Sequence, residues 1–562
     1  METNNQKTFS NQIHLPRLSI PTLKETAERY KKSLLPLLST SDYNRAANVV
    51  DEFMKEGGFA EVLQKRLYDV DKKLRVPILI YSNWWIEFDD PVTGILENPP
   101  SKGQISEFQI NRAAGLVSNM LTFNDMINNT ARIADSPFDR VITTWPKTAK
   151  HIIVIFKDQI FKVQVLAFKI YAGCCFALRQ LRSVVDQVNN ATELQPSIGL
   201  LTAEHRDTWA TARKKLESLS AENNISFEAI DTALFCVALD DYPTDTNIDV
   251  SHHNCIHAYN GRNRWFDKTI QLIFANNGRA GVNGEHSSVD GTIVGRLFDY
   301  IISNEPAQDP QNTSPIELSP PQYLKWVVDT DIMNTIQQAQ INIQAAIDKV
   351  DSVLLYYNEY GADWIKNAKV SPDAFVQIAI QLAYYKRYGE PCSTYETAST
   401  RGFLHGRLET VRTCSVDTVA FTKAFCDPNV EKDEKVSLLM KAIKSHVEYI
   451  SSAIKGRGVD CHLLGLQSQI RDGEKSRATL FTDPSYAQAM HFKLRTSNLS
   501  PGLCFHTGME TIVPDAYAIA YIIEKDKLKI GISSNKKCKE TDSVIFRKAL
   551  KESLDDLREI LS

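Results

Sequence analysis

Apolar and polar positions along the chain follow two different periods, and each period predicts one kind of element. Residues 22–75 carry apolar side chains at helical spacing and read as short amphipathic helices. The apolar, β-branched run 150–156 and the segment 160–165 flank a polar turn, which predicts a β-hairpin. Helical spacing predicts further helices over 330–360, 372–388 and 544–561. This mixture of helices and buried strands indicates an α/β architecture.

The stretch 303–321 interrupts this pattern most clearly. It is rich in Pro, Asn, Gln and Ser and poor in apolar residues, so we expect a boundary between domains there. The chain has 562 residues, which is long enough for two large α/β domains.

Composition and charge narrow the class of protein. The chain has 43% hydrophobic and 23% charged residues, as a globular protein in water has. A net charge of −4, without basic runs that interleave aromatic residues, argues against a nucleic-acid partner. Ten scattered cysteines favour free thiols in a reducing compartment. The most apolar stretch, 163–181, contains Lys169 and Arg179, so no transmembrane segment is predicted. We therefore expect a cytoplasmic protein, and peripheral association with an organelle membrane stays open.

The strongest single candidate for chemistry is His286. A strand-like segment, a Gly-rich turn and a second short segment precede it, and together they would deliver the ring to an interior site. Histidine can take and return a proton near neutrality. Asp290 follows four residues later and could orient the ring. A lone histidine is nevertheless more often a structural hydrogen-bonding group, so this motif needs support from the rest of the chain.

A second histidine cluster lies at 251–257, where three His and one Cys occur within seven residues. These side chains could bind zinc or copper. Metal ligands normally come from separated positions on a rigid frame, whereas this cluster is expected in a loop. We therefore expect no metal site.

The order of motifs along the chain resembles that of the choline/carnitine acyltransferase family. The matching segments are Leu15–Leu18, Ile20–Leu23, Asn263–Lys268, Glu285–Gly291, Ser371–Phe375, Gln381–Tyr385, Thr394–Ser399, His462–Leu466, Ala489–Phe492 and Val513–Asp515. The resemblance implies two coenzyme-A-dependent acyltransferase domains of the chloramphenicol-acetyltransferase type, with mixed sheets and the active site at their junction. It assigns the catalytic histidine to a domain over 1–320, and the coenzyme and acceptor motifs to one over 321–562.

The resemblance also implies catalytic roles. His286 matches the general base that takes the proton of the acceptor hydroxyl. Asp290 stands where the family has Glu and is expected to orient the ring, the alternative being an ordinary acid at a helix start. Ser497 matches a hydroxyl that stabilises the oxyanion, although Arg495 replaces the first serine of that motif.

Coenzyme A or its acyl thioester is the implied co-substrate, and no tightly bound cofactor is expected. Lysine ammonium groups suit its phosphates. The residues assigned to the coenzyme are Lys366, Lys369, Asp373, Thr397, Ser399 and Asn498. Ala362 and Val447 stand where relatives carry cations, so we expect weaker coenzyme binding than in those relatives.

The acceptor site departs from the family pattern. Tyr395 and Thr496 are assigned to it, but Leu408 and Cys461 replace the Thr and Arg that hold the carboxylate of carnitine. A buried carboxylate without its cation is costly, so these two changes bear directly on the substrate. Choline-specific relatives also lack this Thr and Arg, but the rest of their pattern is not evident.

Three hypotheses follow. The first, which we favour, is a divergent carnitine O-acyltransferase for short, acetyl-type acyl groups, in which other cations hold carnitine. The second is a coenzyme-A-dependent acyltransferase with another acceptor, and the third is a non-catalytic protein that retains the fold. Under all three we expect a monomer, with small molecules as its partners.

Overall fold

A computed structural model describes residues 14–73, 83–91, 93–128, 150–165, 173–287, 290–305, 319–500 and 503–562. Their contacts divide the chain into two compact units. The first unit comprises the described parts of Leu79–Ser352 and Pro501–Gly508. The second comprises the described parts of Asn11–Ile78, Val353–Ser500 and Met509–Ser562.

The strands build one mixed sheet centred on each unit. In chain order they are β1 (Asn83–Phe88), β2 (His151–Phe156), β3 (Gln159–Gln164), β4 (Cys236–Leu239), β5 (Gln271–Phe274), β6 (Ala280–Glu285), β7 (Gln322–Tyr323), β8 (Val350–Tyr357), β9 (Thr394–Ser399), β10 (Leu408–Arg412), β11 (Leu494–Asn498), β12 (Phe505–Gly508), β13 (Tyr517–Ile523) and β14 (Leu528–Asn535). The first sheet has the order β12-β1-β6-β5-β4-β2-β3-β7, and the second has the order β10-β9-β11-β13-β14-β8.

Helices alternate with these strands along the chain, which confirms the predicted α/β class. They are α1 (Leu23–Leu34), α2 (Thr40–Met54), α3 (Phe59–Lys73), α4 (Glu107–Asn128), α5 (Gly173–Asn189), α6 (Arg206–Leu219), α7 (Ala221–Thr232), α8 (Ile248–Gly261), α9 (Gly291–Ser303), α10 (Thr330–Ile347), α11 (Ala362–Asn367), α12 (Pro372–Tyr388), α13 (Val416–Cys426), α14 (Lys432–Ile454), α15 (Asp460–Ser468), α16 (Thr479–Thr482), α17 (Pro484–Met490) and α18 (Ser543–Leu561). Short 3₁₀ helices occur at Ile198–Ala203 and Lys475–Arg477.

The predicted hairpin is present as β2 and β3, which pair antiparallel. Its two turn residues, Lys157 and Asp158, both have positive φ, at 48° and 62°. A turn with positive φ at both central residues has a backbone twist that fits the right-handed twist of the flanking strands. Every residue of β2, β4, β5 and β6 is buried, so the middle of the first sheet is covered on both faces.

The predicted helix over 372–388 is confirmed as α12, which lies at the centre of the second unit. Ser371 caps its first turn, Pro372 occupies the first helical position, and Gly389 ends it at φ 70°. Residues 374–384 are all buried, and the apolar ones pack with α18 and the second sheet in one core.

The predicted helix over 330–360 is wrong in its second half. The helix α10 ends at Ile347, and Val350–Tyr357 forms β8 at the edge of the second sheet. Branched residues such as Val350 and Val353 fit a pleated strand, and the partner β14 comes from a distant part of the sequence. Local spacing alone therefore could not distinguish the two forms.

The predicted domain ranges, 1–320 and 321–562, do not coincide with the compact units. The amino-terminal helices α1–α3 share a hydrophobic core with residues of α15–α17, so they belong to the second unit. The strand β12 pairs with β1 and belongs to the first. Most of the interruption at 303–321 lies outside the described residues.

Candidate active site

The segment Asn263–Lys268 begins with three buried residues and is linked through Asp267 and Arg206 to the strand that precedes the candidate histidine. The guanidinium of Arg264 donates to both carboxylate oxygens of Asp240, at 2.7 and 2.8 Å, and both side chains are buried. Asn263, at φ 60°, donates to Asp240 and to the carbonyl of Leu239 at 2.9 Å. These charge-assisted bonds fix the chain between α8 and β5.

A charged network joins this segment to the end of β6. The carboxylate of Asp267 accepts from Arg206 and, at 2.9 Å, from the indole N–H of Trp209. Arg206 also contacts Glu285 at 3.4 Å. Glu285 accepts from the backbone N–H of Ser287 at 3.0 Å and from its hydroxyl at 2.5 Å. Burial raises the pKa of Glu285, while Ser287 and Arg206 act in the opposite direction. Both residues that flank His286 are therefore held in place.

His286 lies just beyond β6, and its Nδ1 is 3.7 Å from Oδ1 of Asp290. This separation permits an ion pair when the imidazole is protonated. Asp290 immediately precedes α9, but its side chain makes no capping hydrogen bond to that helix. Both side chains are partly exposed, at 20% and 24%, so a proton can reach the pair.

In the second unit, four of the residues assigned to coenzyme and acceptor share one face of the sheet, namely Tyr395, Thr397, Ser399 and Leu408. Tyr395, Thr397 and Ser399 alternate with buried residues along β9 and are partly exposed. Pairing between strands aligns Leu408 with Ser399, and Arg495 with Tyr395. Paired residues of neighbouring strands point to the same side of a sheet.

Ser497 shares this face, because it lies two residues after Arg495 on β11. Thr496 points to the opposite face and is fully buried. Its hydroxyl donates to the carbonyl of Tyr395 at 2.8 Å and accepts from Gln377 at 2.9 Å. The structure therefore uses Thr496 to join β11 to β9, rather than presenting it beside Ser497.

Asp373 and Asn498 come together beside α12, although 125 residues separate them in sequence. Asn498 donates to Oδ1 of Asp373 at 2.8 Å, and the hydroxyl of Tyr521 donates to the same oxygen at 2.7 Å. Lys366, in the last turn of α11, and Lys369, at φ 61°, are exposed just before this helix. Within the described ranges, neither lysine forms an ion pair with a carboxylate. Both are thus available to an anionic ligand.

Leu408 and Cys461, the two acceptor-site positions singled out in the sequence analysis, are direct neighbours. The thiol of Cys461 donates to the carbonyl of Leu408 at 3.3 Å. The backbone N–H of Cys461 donates to the buried carboxylate of Glu409 at 3.2 Å. Burial and nearby Asp460 raise the pKa of Glu409 to about 7.

The sequence analysis did not identify Arg412, a buried arginine on the strand that begins with Leu408. Arg412 aligns with Tyr395 across β9 and β10, and its guanidinium donates to Asp460 at 2.6 and 3.0 Å. Its charge is thus neutralised within the unit. Forty-eight residues separate this pair, so no local motif could have indicated it.

The histidine cluster 251–257 lies in a helix, α8, and not in the expected loop. The structure brings His252 toward Glu87 and His506, from other segments of the first unit, rather than toward its neighbours in sequence. Glu87 accepts from His506 at 2.9 Å and from Ser251 at 2.6 Å. Helical geometry explains the difference, because adjacent side chains on a helix point in different directions.

No helix in the described ranges has both the length and the apolarity needed to cross a membrane.

A model of the family described as Choline/Carnitine o-acyltransferase matches residues 18–131 and 125–552. Carnitine O-acetyltransferase of Rattus norvegicus is 32% identical over 98% of this chain and 94% of its own. Choline O-acetyltransferase of Danio rerio is 29% identical over 97% of this chain and 93% of its own. A wax ester synthase/diacylglycerol acyltransferase from Marinobacter aquaeolei VT8 matches 86% of this chain and 96% of its own, at 10% identity and a TM-score of 0.31, a likeness too low to carry an argument.

Proposed function

The chain belongs to the choline/carnitine O-acyltransferase family, and we propose that it transfers short acyl groups, above all acetyl, between coenzyme A and the hydroxyl of carnitine. The observation that carries this proposal is the shared sheet face of Tyr395, Thr397, Ser399 and Ser497. His286 removes the proton of the acceptor hydroxyl, and Asp290 stabilises the imidazolium that results. Ser497 donates to the tetrahedral oxyanion, a role worth about 3 kcal/mol in other acyl-transfer enzymes.

Coenzyme A binds near the start of α12 in this proposal. Lys366 and Lys369 contact its phosphates, which suit compact ammonium groups. A hydrogen bond from Asn498 to Asp373 already positions both side chains, so little conformational freedom is lost when the coenzyme binds. Thr397 and Ser399 offer hydroxyl groups to the amides of its pantetheine arm.

The carboxylate of carnitine requires a cation that Leu408 and Cys461 do not supply. Arg412 is tied to Asp460, but Arg495 lies on the same sheet face as Tyr395 and directly opposite it on β11. One of its guanidinium nitrogens donates to the carbonyl of Glu510 at 3.1 Å, and burial lowers its pKa. Its side chain is half-buried, and nearby Tyr395 and Glu510 oppose the lowering of its pKa. A carboxylate that pairs with this guanidinium stabilises its charge further. We therefore assign Arg495 to the acceptor carboxylate.

The test is a thiol-release assay with acetyl-coenzyme A and carnitine, choline or no acceptor. The expected order of rates is carnitine above choline, and choline above no acceptor. Replacing Arg495 with serine should raise the KM for carnitine about tenfold, because a hydrogen bond to a charged group is lost. The same substitution should leave the rate of any acyl transfer to choline unchanged. Arg471→Ser, which changes an exposed arginine in a loop, is the matched control.

A coenzyme-A-dependent acyltransferase with a different acceptor is the second candidate. The neighbouring Leu408 and Cys461 favour it, since neither offers a charged donor to a carboxylate. Equal rates with carnitine and choline, both no higher than without acceptor, would favour this candidate over the first. A screen of uncharged alcohols and amines would then identify the acceptor.

A further inference from the structure

A cavity of about 240 Å³ lies within the second unit, and its lining includes none of the residues assigned above to catalysis, coenzyme or acceptor. It is bounded by α1, the end of β10, the start of α13 and the second half of α14. It is larger than a single water molecule or a bare ion requires. Its size therefore suits a small organic molecule.

Three residues that line this cavity each have a buried side-chain polar atom without a hydrogen-bond partner among the described residues. These atoms are Nη1 of Arg29, Nδ1 of His446 and the hydroxyl of Tyr449. Folded proteins satisfy nearly all buried polar groups, so each such exception needs an explanation. His446 is only 4% exposed, and its other ring nitrogen is bound at 2.7 Å to Oε2 of Glu396. Three unsatisfied groups on one cavity indicate a binding site for a partner that accepts hydrogen bonds.

Four basic and two acidic side chains line the cavity, and one of the basic ones, Arg412, is paired with Asp460. Arg29 and Lys32 form no ion pair within the described part of the chain, and Arg457 pairs with Glu25 at 3.2 Å. The two acids, Asp417 and Glu448, oppose the binding of an anion.

Two further groups favour an anion. The first residues of α13 line the cavity, and N–H groups at the start of an 11-residue helix attract negative charge. The ring of His446 donates through Nε2 to Glu396, and it gains a second donor at Nδ1 when it is protonated.

We propose that this cavity binds a small organic oxyanion, either a carboxylate or a phosphate monoester, held by Arg29, His446 and Tyr449. Arg29 supplies a guanidinium that can bind two oxygens, Tyr449 donates a hydroxyl hydrogen bond, and protonated His446 donates through Nδ1. Lys32 contributes charge nearer the mouth of the site.

The position of His446 links this site to the proposed coenzyme site, a step that rests on the proposed function. His446, Glu396 and Asp373 place their polar atoms within 4.8 Å of one another. Asp373 in turn accepts from Asn498, one of the residues assigned to coenzyme A. An anion beside Nδ1 favours the imidazolium, which stabilises ionised Glu396 next to Asp373. Occupation of the cavity should therefore change the affinity for coenzyme A, and coenzyme A should change the affinity for the anion by the same factor.

Calorimetric titration of the full chain with malate and with glycerol 3-phosphate tests the site, with glycerol as the uncharged control. We expect saturable binding of at least one anion and none of glycerol, and the two anions distinguish a carboxylate ligand from a phosphate ligand. Arg29→Gln and Tyr449→Phe should each weaken binding, by about tenfold for the loss of the charged donor. Lys24→Gln, which removes an exposed cation from the same helix, should stay within about twofold.

Binding of neither anion, or binding that Arg29→Gln and Tyr449→Phe leave unchanged, would overturn the site. Circular dichroism of both variants checks that they fold, and Tyr449→Phe keeps the shape of the cavity if Arg29→Gln does not fold. Displacement of the anion by coenzyme A would also overturn it, because the cavity would then be part of the coenzyme site. A dissociation constant for the anion that is the same with and without coenzyme A would overturn the coupling alone. These titrations need no turnover, so their failure is separate from a failure of the acyl-transfer assay.

Discussion

The thiol of Cys461 donates a hydrogen bond to the carbonyl of Leu408 at 3.3 Å, across 53 residues of sequence. The two positions expected to replace the Thr and Arg of the acceptor site are thus in contact. Substitutions at Leu408 and Cys461 therefore alter the same part of the second unit. The contact also joins the starts of α15 and β10, so a substitution at one position changes the surroundings of the other.

Reinstalling the family residues as Cys461→Arg with Leu408→Thr should raise kcat/KM for carnitine. A charge-assisted hydrogen bond contributes about 1.5–3 kcal/mol, which corresponds to a gain of roughly tenfold to a hundredfold. Activity with choline should fall or stay level, because the new cation repels its ammonium. Initial rates with both acceptors measure the effect, and Cys426→Arg, at an exposed cysteine, is the control. Weaker carnitine binding in the double variant would mean that another group, such as Arg495, already holds the carboxylate.

His286→Ala should lower acyl transfer by about a hundredfold to ten-thousandfold, which is the range for loss of a general base. Asp290→Asn should have a smaller effect, since it removes only the charge 3.7 Å from the ring. The measurement is thiol release with acetyl-coenzyme A, together with coenzyme A binding to show that the protein is folded. The exposed His205 provides the control as His205→Ala. Activity of His286→Ala within threefold of the parent would contradict its role as the base.

Lys366→Ala should raise the concentration of coenzyme A at half-saturation and leave kcat nearly unchanged, which is the signature of lost uniform binding. Ala362→Lys, which restores a cation found in relatives, should lower that concentration. Both effects should shrink as ionic strength rises, because exposed charges are screened. Saturation curves at low and high salt measure them, with Lys349→Ala as an exposed control. An unchanged curve for both variants would place the phosphates elsewhere.

Stability should depend on pH through the buried pair of Glu396 and His446. Burial raises the pKa of Glu396 from its ordinary 4.5 to about 7, although His446 opposes the shift. Burial lowers the pKa of His446, but nearby Glu396 raises it further, and the net change is upward. Folded Glu396 thus keeps a proton that the unfolded chain releases above pH 4.5, so its contribution to the free energy of unfolding falls as pH rises to about 7. The contribution of His446 is present below pH 6.5 and is lost as pH rises through its raised pKa.

Thermal unfolding between pH 5 and pH 8 measures this dependence. The Tm of the parent should fall with pH more steeply than that of Glu396→Gln, by an amount that reflects ~2–3 kcal/mol across the window. Glu409, whose pKa is also raised to about 7, titrates in both proteins and therefore cancels in the comparison. Parallel curves for the two proteins would show that Glu396 titrates alike in the folded and unfolded states.

Much of the local structure follows from residues that are neighbours in sequence. Ser371, Pro372 and Gly389 mark both ends of α12, because capping and backbone preference act within one turn of a helix. The apolar runs on either side of Lys157 and Asp158 indicate the β2–β3 hairpin for a similar reason. His286 and Asp290 are four residues apart, and their proximity needed no long-range information.

The sequence by itself determined the family, the alternation of helices and strands, and the residue types offered for acyl transfer. Only the tertiary structure decided that 350–357 is a strand, that 251–257 is helical, and that Thr496 faces inward while Ser497 shares a face with Tyr395. The pairs Arg412–Asp460 and Glu396–His446 also arise only there, across 48 and 50 residues. The physical reason is that sheet register and packing bring distant side chains together, and the free energy of a buried charge depends on those partners rather than on its neighbours in sequence.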